Sequence, residues 1–365
     1  MREERHRRRN EKERREKREE RREKREEREN MWRGQLCGVR RLLRLRRAES
    51  ECRGAYSASR SLASSAGASA PKPGERLRRL VREAELEKSP VQIVGAINAY
   101  SALMAEKKGF KALYLSGGGV AISSLGVPDL GITTLEDVCI DARRITRACP
   151  DTPLLVDIDT GFGTTIFNVR RTIQDLEALG VAGVHMEDQV VAKRCGHRPN
   201  KQIVTTQEMV HRITAAFDGR TDPSFFIMAR TDALATEGLE ASIERCKKYV
   251  EAGADALFIE AVTELDQYKS FAKEIPGVPL LANLTEFGKT PLFSLQELAD
   301  ADVSMALYPL SAFRAMSKGA DKVFETLMNE GSCVPCMDHL HTREQTYAVI
   351  DYHKHEKMLD KFQAE

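Results

Sequence analysis

The sequence has little that would suit a membrane protein or a small disulfide-bonded secreted protein. No apolar run approaches the roughly 18 residues that a membrane-spanning helix needs. The chain of 365 residues is far larger than the small secreted domains that depend on disulfides. Its cysteines also lack the spacing of a disulfide framework; they lie at positions 37, 52, 139, 149, 195, 246, 333 and 336. The one C-x-x-C pair, "CVPC" (333–336), has no second pair that would complete a zinc site. We therefore expect a protein of a reducing compartment with no membrane partner.

The first 30 residues lack apolar side chains that could form a core. They contain 15 Arg and Lys residues and 11 Glu residues, which indicates either disorder or a lone charged helix held by i,i+4 ion pairs. Glu nearly balances the basic residues, and no aromatic side chain lies among them. The segment therefore lacks the features of an arm that binds nucleic acid, and we expect no such partner.

Residues 31–74 differ in composition from the block before them. Residues 31–70 contain eight Arg against two Glu, together with many Ser and Ala residues and a "RRLLRLRR" stretch (40–47). This composition is typical of an organelle transit peptide. We predict a transit peptide and linker over 31–74 and, after its removal, a location in the mitochondrial matrix.

After Pro71, short β-like runs alternate with amphipathic helical stretches. Eight strands, each followed by a helix, within about 220 residues are typical of a closed (β/α)8 barrel of the TIM type. The alternative, a doubly wound sheet, lacks its glycine-rich phosphate fingerprint after the first strand. We predict the barrel over 75–340 and a helical segment over 341–365. The strand candidates are "VQIVGAI" (91–97), "KALYLS" (111–116), "LLVDID" (154–159), "AGVHME" (182–187), "SFFIMAR" (224–230), "ALFIEA" (256–261), "PLLANL" (279–284) and "VSMALY" (303–308).

Polar side chains follow six of these eight strand candidates. Barrel active sites lie where the strands end, at the C-terminal face, so these side chains favour a shared site over a set of solvated boundaries. They are Ser116, Asp157, Asp159, Glu187, Asp188, Arg230, Glu260 and Asn283.

Three of these acids suit a divalent cation. Asp157 and Asp159 are two residues apart, so their side chains share one face of a strand, and Glu187 comes from the next strand. Oxygen ligands of this kind suit Mg²⁺ or Mn²⁺, directly or through water. The alternative is pairing with an arginine such as Arg230, although three converging acids would still leave excess negative charge.

Glycines and arginines offer places for a substrate that carries carboxylates. "LSGGGVA" (115–121) puts three glycines after a strand, where backbone N–H groups can approach an anion closely. Arg230, Arg314 and Arg343 can each bind a carboxylate through two hydrogen bonds. Taken singly, each arginine is more often a surface or ion-pair residue.

A lone cysteine lies among basic residues in "KRCGH" (193–197). Lys193, Arg194 and His197 favour the thiolate form of Cys195, and such a thiol can both give and take a proton near neutral pH. A metal-thiolate site would need further Cys or His residues at ligand spacing, which the sequence lacks. A buried structural cysteine does not suit so polar a segment. We predict an acid–base role for Cys195.

Eight stretches within residues 91–350 carry a family resemblance. They resemble the isocitrate lyase/phosphoenolpyruvate mutase superfamily over about 70% of the chain. The "KRCGH" segment is typical of the carbon–carbon lyases of that superfamily, and the phosphonate-processing members lack its cysteine. The stretches are "YLSGGGVA", "GVPDLGITTLEDV", "VDIDTGFG", "HMEDQVVAKRCGHRPNK", "MARTDA", "FIEA", "NLTEFGKTP" and "LYPLSAFRAM".

The resemblance implies a retro-aldol cleavage of 2-methylisocitrate, a small tricarboxylate, into pyruvate and succinate, in the methylcitrate route of propionate breakdown. Mg²⁺ would be held by Asp157 and Asp159, directly or through water, with Glu187 in support. The last helix would be exchanged between the subunits of a homodimer or homotetramer.

The resemblance also implies a role for each remaining site residue. Cys195, on a mobile lid, would protonate the departing succinate carbanion, and Tyr114 and Glu187 are the alternatives for the base. Lys193 and His197 are further catalytic candidates. The substrate would be bound by Ser116, Gly117, Gly118, Cys195, Gly196, Arg230, Glu260, Asn283, Leu284, Thr285, Arg314 and Arg343.

Three alternatives to this activity stay open. Isocitrate lyase differs by one substrate methyl group, worth only about 1–3 kcal/mol of discrimination. A phosphonopyruvate or oxaloacetate enzyme is disfavoured by Cys195 and His197. A barrel without catalysis, serving as a binding or scaffold protein, would have no need of five residues together: Asp157, Asp159, Cys195, Arg230 and Glu260.

Overall fold

The chain folds into a closed barrel of eight parallel strands, in a computed structural model that describes residues 70–196 and 198–363. Each strand pairs with the next along the chain, and β1 closes the barrel by pairing with β8, Ile93 opposite Leu307. The predicted (β/α)8 barrel is therefore confirmed. The strands are β1 Val91–Gly95, β2 Ala112–Leu115, β3 Leu154–Asp157, β4 Gly183–Glu187, β5 Phe226–Thr231, β6 Ala256–Ile259, β7 Leu280–Asn283 and β8 Met305–Tyr308.

Helices follow the strands and cover the outside of the barrel. Most are amphipathic, as in Leu135–Ala148, where Val138, Cys139, Ala142 and Ile145 lie on the buried side at helical spacing. The helices are α1 Pro73–Glu87, α2 Ala99–Lys107, α3 Gly117–Val120, α4 Leu135–Ala148, α5 Ile166–Ala178, α6 Thr206–Gly219, α7 Leu234–Glu237, α8 Leu239–Glu251, α9 Leu265–Glu274, α10 Leu295–Asp300, α11 Ser311–Glu330, α12 Arg343–Ile350 and α13 Tyr352–Gln363, with a π-helical turn at Ala121–Leu125 and a 3₁₀ helix at Val334–His339.

The core has two layers, because alternate residues of a strand face opposite sides. Side chains that face outward pack under the helices, and those that face inward fill the barrel. Leu77 and Val81 of α1 pack with the inward-facing Ile93 and Phe226, and so close the N-terminal end of the barrel. The opposite end, where the strands finish, carries the polar side chains.

The C-terminal helix α12 lies against the outside of α2. Tyr100 Oη is 3.5 Å from His341 Nδ1, and Lys107 Nζ donates a hydrogen bond of 2.6 Å to Asp351. Among the described residues, no helix combines the length and apolar character that are needed to cross a lipid bilayer. The predicted charged segment (1–30) and most of the predicted transit peptide and linker (31–74) lie outside the described residues.

Candidate active site

A cavity of about 220 Å³ opens at the C-terminal end of the barrel. Side chains from strand ends and from two loops line it together. Glu187, Asp159 and Gly117 lie directly behind this lining, in contact with it. The predicted site residues that line the cavity are Tyr114, Ser116, Gly118, Asp157, Lys193, Cys195, Gly196, Arg230, Glu260, Asn283, Thr285 and Arg314.

Asp157 is held on both carboxylate oxygens. Its Oδ2 accepts a hydrogen bond of 3.1 Å from the Gly117 N–H, and its Oδ1 accepts one of 3.0 Å from the Asp159 N–H. Burial alone would raise the pKa of Asp157, but His185, Lys193 and neighbouring donors outweigh it and lower that pKa to about 2. Asp157 is therefore an ionised, fixed carboxylate.

Asp159 and Glu187 share the ammonium group of Lys193. Lys193 donates a hydrogen bond to Asp159, and its Nζ lies 2.9 Å from Asp129 Oδ1 and 4.0 Å from Glu187 Oε1. Burial raises the pKa of Asp159 to about 6 and the pKa of Glu187 to about 8, in spite of the Lys193 charge. Lys193, which the sequence predicts to favour the thiolate of Cys195, has its ammonium group within 4.0 Å of these three acids.

Arg230, at the end of β5, is the second buried cation of the site. Its Nη2 lies 3.3 Å from Glu187 Oε2 and 3.1 Å from Glu260 Oε2, and its Nε donates a hydrogen bond of 3.1 Å to Asp232. Glu187 is directly opposite Arg230 in the β4–β5 register, which explains why these side chains meet. The alternative expected for the three acids, an ion pair with Arg230, is therefore observed for Glu187. Asn283 extends the row, since its Nδ2 donates to Glu260 at 3.4 Å.

Two observations indicate that the acid cluster of Asp157, Asp159 and Glu187 could bind a divalent cation. Glu187 is 1% exposed, yet neither of its carboxylate oxygens accepts a hydrogen bond within the described residues. Even with Glu187 protonated, the other acids of the site outnumber its cations, so negative charge remains; the acids are Asp129, Asp157, Asp159, Asp232 and Glu260, and the cations are Lys193, Lys201 and Arg230. In residues 70–196 and 198–363, no three or more His, Cys, Asp or Glu side chains could hold a metal by themselves. The protein would supply one or two direct ligands, as it commonly does for Mg²⁺.

Tyr114 and His185 form a buried pair beside Asp157. Tyr114 Oη lies 2.8 Å from His185 Nε2, and the two rings stack. Burial raises the pKa of Tyr114 well above its ordinary value and lowers the pKa of His185 to about 4. At neutral pH the phenol is therefore protonated and the imidazole is neutral. His185 was not predicted, although it lies two residues before Glu187 on the same strand face, which was a usable signal.

The glycine-rich turn contacts the acids as well as the cavity. The Ser116 hydroxyl accepts a hydrogen bond of 3.1 Å from the Gly119 N–H, which caps α3. The Gly117 N–H is committed to Asp157, and a Cβ on Gly117 would lie 3.0 Å from that carboxylate. Of the three residues predicted to receive a substrate carboxylate, Ser116 and Gly118 line the cavity and Gly117 lies behind it.

The thiol loop, residues 191–196, carries Cys195 to the cavity. Cys195 is half-buried and lines the cavity next to Gly196. A Cβ on Gly196 would lie 2.4 Å from Arg230 Nη2 and 2.7 Å from the Glu260 carboxyl carbon. Only glycine permits so close an approach of the loop backbone to the buried charges.

Some predicted residues are not brought into the cavity. Leu284 is buried but does not line it, and Arg343 is exposed at the start of α12. Arg314 does line the cavity, where its Nε lies 3.5 Å from Glu286 Oε2. His197 lies outside the described residues.

The raised pKa of Glu187 predicts a pH effect on stability. The unfolded chain releases this proton near pH 4.5 and the folded chain near pH 8, so folding holds an extra proton between these values. Stability of the metal-free protein should fall as pH rises through this range, by up to about 1 kcal/mol per pH unit from this group. Thermal melts in EDTA at pH 5–8 should show a steeper fall in Tm for the wild type than for Glu187→Gln. Parallel curves for the two proteins would contradict the shift.

A family model described as phosphoenolpyruvate phosphomutase matches residues 81–328. The 2-methylisocitrate lyase of Salmonella typhimurium is 59% identical over 279 residues, which cover 76% of this chain and 94% of that protein. A solved 2,3-dimethylmalate lyase, a member of the PEP mutase/isocitrate lyase superfamily, has a TM-score of 0.73 at 34% identity and covers 79% of this chain and 95% of that one. A phosphonopyruvate hydrolase solved with oxalate and Mg²⁺ has a TM-score of 0.69 at 26% identity, with coverages of 81% and 99%.

The predicted mitochondrial location is wrong. The relatives that share 55–59% of their residues with this chain come from bacteria, which have no mitochondria. The prediction rested on the high content of Arg, Ser and Ala in this segment, and composition alone does not specify an organelle. The transit-peptide interpretation of 31–74 therefore loses its support.

Proposed function

The chain belongs to the phosphoenolpyruvate phosphomutase family, within the PEP mutase/isocitrate lyase superfamily, and on that premise we propose that it cleaves 2-methylisocitrate into pyruvate and succinate. The observation that carries the proposal is the meeting of three groups at one cavity. Asp157 provides a fixed anion, Arg230 a buried cation, and Cys195 a thiol on a loop seated against that cation. Such a set can bind a polycarboxylate and supply a proton to a leaving carbanion.

We propose Mg²⁺ as the cofactor, with Mn²⁺ as a substitute. Asp157 and Asp159 would hold the ion, directly or through water, with Glu187 in support. The carboxylate of Glu187 contacts Lys193 and Arg230 but accepts no hydrogen bond from them, which favours this arrangement. When bound, the ion would act as a Lewis acid that lowers the pKa of the substrate hydroxyl and stabilises negative charge on the keto-acid product. Carboxylates and water are the ligands that this ion prefers.

The chain's own residues would then bind the two halves of the substrate. Ser116 and Gly118 lie on the acid side of the cavity and would orient the carboxylate of the pyruvate half. Arg230, from β5, and Asn283 and Thr285, from the end of β7, would bind the succinate half, with the more exposed Arg314 also in contact with the cavity. Because Arg230 is already fixed by Asp232 and Glu260, its guanidinium is oriented before the substrate arrives.

The cleavage breaks the bond between the hydroxyl-bearing carbon and its neighbour. The hydroxyl loses its proton to a base, a carbonyl forms, and the electron pair of the broken bond goes to the succinate carbon. Cys195 would protonate that carbon from its S–H. Tyr114 and Glu187 are the two candidates for the base. The phenol of Tyr114, whose pKa is raised by burial, would first have to lose its own proton, whereas ionised Glu187, whose raised pKa makes it a stronger base than an ordinary carboxylate, could accept the proton directly.

We expect the purified protein to release pyruvate from 2-methylisocitrate in the presence of Mg²⁺. Isocitrate lacks the methyl group, so its kcat/KM should be lower by about 10–200-fold, the usual effect of one methylene group in an apolar pocket. A lactate dehydrogenase coupled assay measures pyruvate, and phenylhydrazine measures glyoxylate. EDTA should abolish both activities.

The alternatives give different results in the same assay. Preference for isocitrate would identify an isocitrate lyase, and turnover of neither compound would overturn the lyase proposal. A barrel that serves only as a scaffold would show no Mg²⁺-dependent turnover at all.

The oligomeric state stays a prediction. We propose a homodimer or homotetramer, in which Arg343 would reach a cavity only from another subunit, because it does not line the cavity of its own chain.

A further inference from the structure

The segments before and after the thiol loop are joined at its base by short backbone pairing. Gln189 and Ile203 form an antiparallel bridge, and the Val190 N–H donates a hydrogen bond of 3.0 Å to the Gln202 carbonyl. The Val204 N–H donates to the Asp188 carbonyl at 2.8 Å. The two segments are therefore held together directly after β4.

Gln189 is fixed at this base and reaches into the loop. It is fully buried, and its carbonyl accepts a hydrogen bond of 2.9 Å from Arg212 Nη1 on α6. Its side-chain amide bonds both polar groups of one residue of the loop. Nε2 donates to the Arg194 carbonyl at 2.9 Å, and Oε1 accepts from the Arg194 N–H at 3.0 Å.

The Gln189 amide bonds the N–H and the carbonyl of Arg194 in the same way as the backbone of a neighbouring β-strand would. Because one bond needs a donor and the other an acceptor, it fixes the orientation of the Gln189 amide and of the backbone at Arg194. Cys195 is the next residue, and Gly196 then rests against Arg230 and Glu260 with no room for a side chain. A shift of the Arg194 backbone would therefore move the thiol relative to the buried charges.

We propose that Gln189 is a positioning residue that holds Cys195 at the cavity by bonding the backbone of Arg194. Gln189 itself does not line the cavity, so it acts through the loop and not on the substrate. The kinetic consequence rests on the proposed function, in which Cys195 donates a proton. The structural consequence, which is the placement of the thiol, is independent of the proposed function.

The first measurement tests placement of the thiol without any substrate. Gln189→Met keeps the length of the side chain but removes both hydrogen bonds, so the loop should open and Cys195 should react with iodoacetamide several-fold faster than in the wild type. Peptide mass spectrometry reports each cysteine separately. Cys333 is also half-buried but lies before the 3₁₀ helix Val334–His339, so its rate should not change and serves as the internal reference.

The second measurement is kinetic. In Gln189→Met, kcat should fall by about 10- to 100-fold, since misplacement of a reacting group by about 1 Å costs a factor of this order. KM should change much less, because Arg230 and Asn283 are untouched. The matched control is Gln267→Met, which removes an amide that also accepts a backbone N–H, that of Thr263 at 2.9 Å, away from the cavity. The control should keep wild-type kcat.

The outcomes separate this proposal from the proposed function. An unchanged alkylation rate of Cys195 in a folded Gln189→Met protein overturns the positioning role, and so does an unchanged kcat in an active enzyme. If the wild type does not cleave 2-methylisocitrate, the proposed function fails and the alkylation rates alone decide the positioning role. If Gln189→Met does not fold, Gln189→Glu, which loses only the bond donated to the Arg194 carbonyl, should show the same faster alkylation.

Discussion

Replacement of Cys195 by serine is expected to lower kcat for 2-methylisocitrate by about 10²–10⁴-fold, the range that a positioned acid contributes. Serine is close in size to cysteine, so the thiol loop should keep its fold and Gly196 its contact with Arg230. The hydroxyl is a much weaker acid than a thiol and cannot deliver a proton to the succinate carbon at the same rate. KM should stay within a few-fold of the wild-type value, because the residues that bind carboxylates are unchanged.

The matched control for this variant is Cys333→Ser. Cys333 has a similar half-buried environment but does not line the cavity, so kcat should equal that of the wild type. Steady-state assays of both variants, with Mg²⁺ saturating, make the comparison. Near-normal turnover in Cys195→Ser would show that another group protonates the succinate carbon.

The strand-end residues could be predicted from the sequence because the barrel has a simple geometry. Parallel strands all finish at one face, so a polar residue that ends a strand is directed to the same place as the others. Asp157, Arg230 and Asn283 came together at one cavity for that reason. The inward-facing His185 follows from the same alternation, since it lies two residues before Glu187 on β4.

The loop contacts could not be predicted in the same way. A loop has no fixed period, so its partners depend on the path that it takes in three dimensions. Lys193 is two residues from Cys195 in sequence, yet its ammonium group pairs with Asp129 and Asp159, which come from other segments. The side-chain hydrogen bonds of Gln189 to Arg194 depend on the path of the loop, which no pattern of residues in the sequence predicts.

The buried charges of the site form two groups that meet at Glu187. Lys193 links Asp129, Asp159 and Glu187, and Arg230 links Glu187 to Glu260 and Asp232. Lys201 extends the second group by a hydrogen bond to Asp232, at the end of the segment that follows the thiol loop. Charges buried in this way are costly unless each one is paired, so removal of one member should disturb its neighbours. A cation bound by the acids would lower this cost at the Asp157 side.

Substitution of Asp157 by asparagine is expected to abolish Mg²⁺ binding and to lower turnover by about 10²-fold or more, given the several kcal/mol that a bound metal supplies. The carboxylate is ionised at every assay pH, since its pKa is lowered to about 2 by His185 and Lys193 against the effect of burial. Asparagine keeps the size but removes the charge. Its NH₂ group would also face either the Gly117 or the Asp159 N–H, both of which need an acceptor.

Asp222→Asn is the matched control for Asp157→Asn. Asp222 also accepts a backbone N–H, that of Ser224 at 2.9 Å, but it lies directly before β5, at the opposite end of the barrel from the cavity. Isothermal titration with MgCl₂ should therefore give wild-type affinity for Asp222→Asn and no binding for Asp157→Asn. Melting curves in EDTA should keep both variants folded, so that lost binding is not lost structure. If Asp157→Asn binds Mg²⁺ as the wild type does, the ion is held elsewhere and the acid pair serves only to fix the glycine-rich turn through the Gly117 N–H.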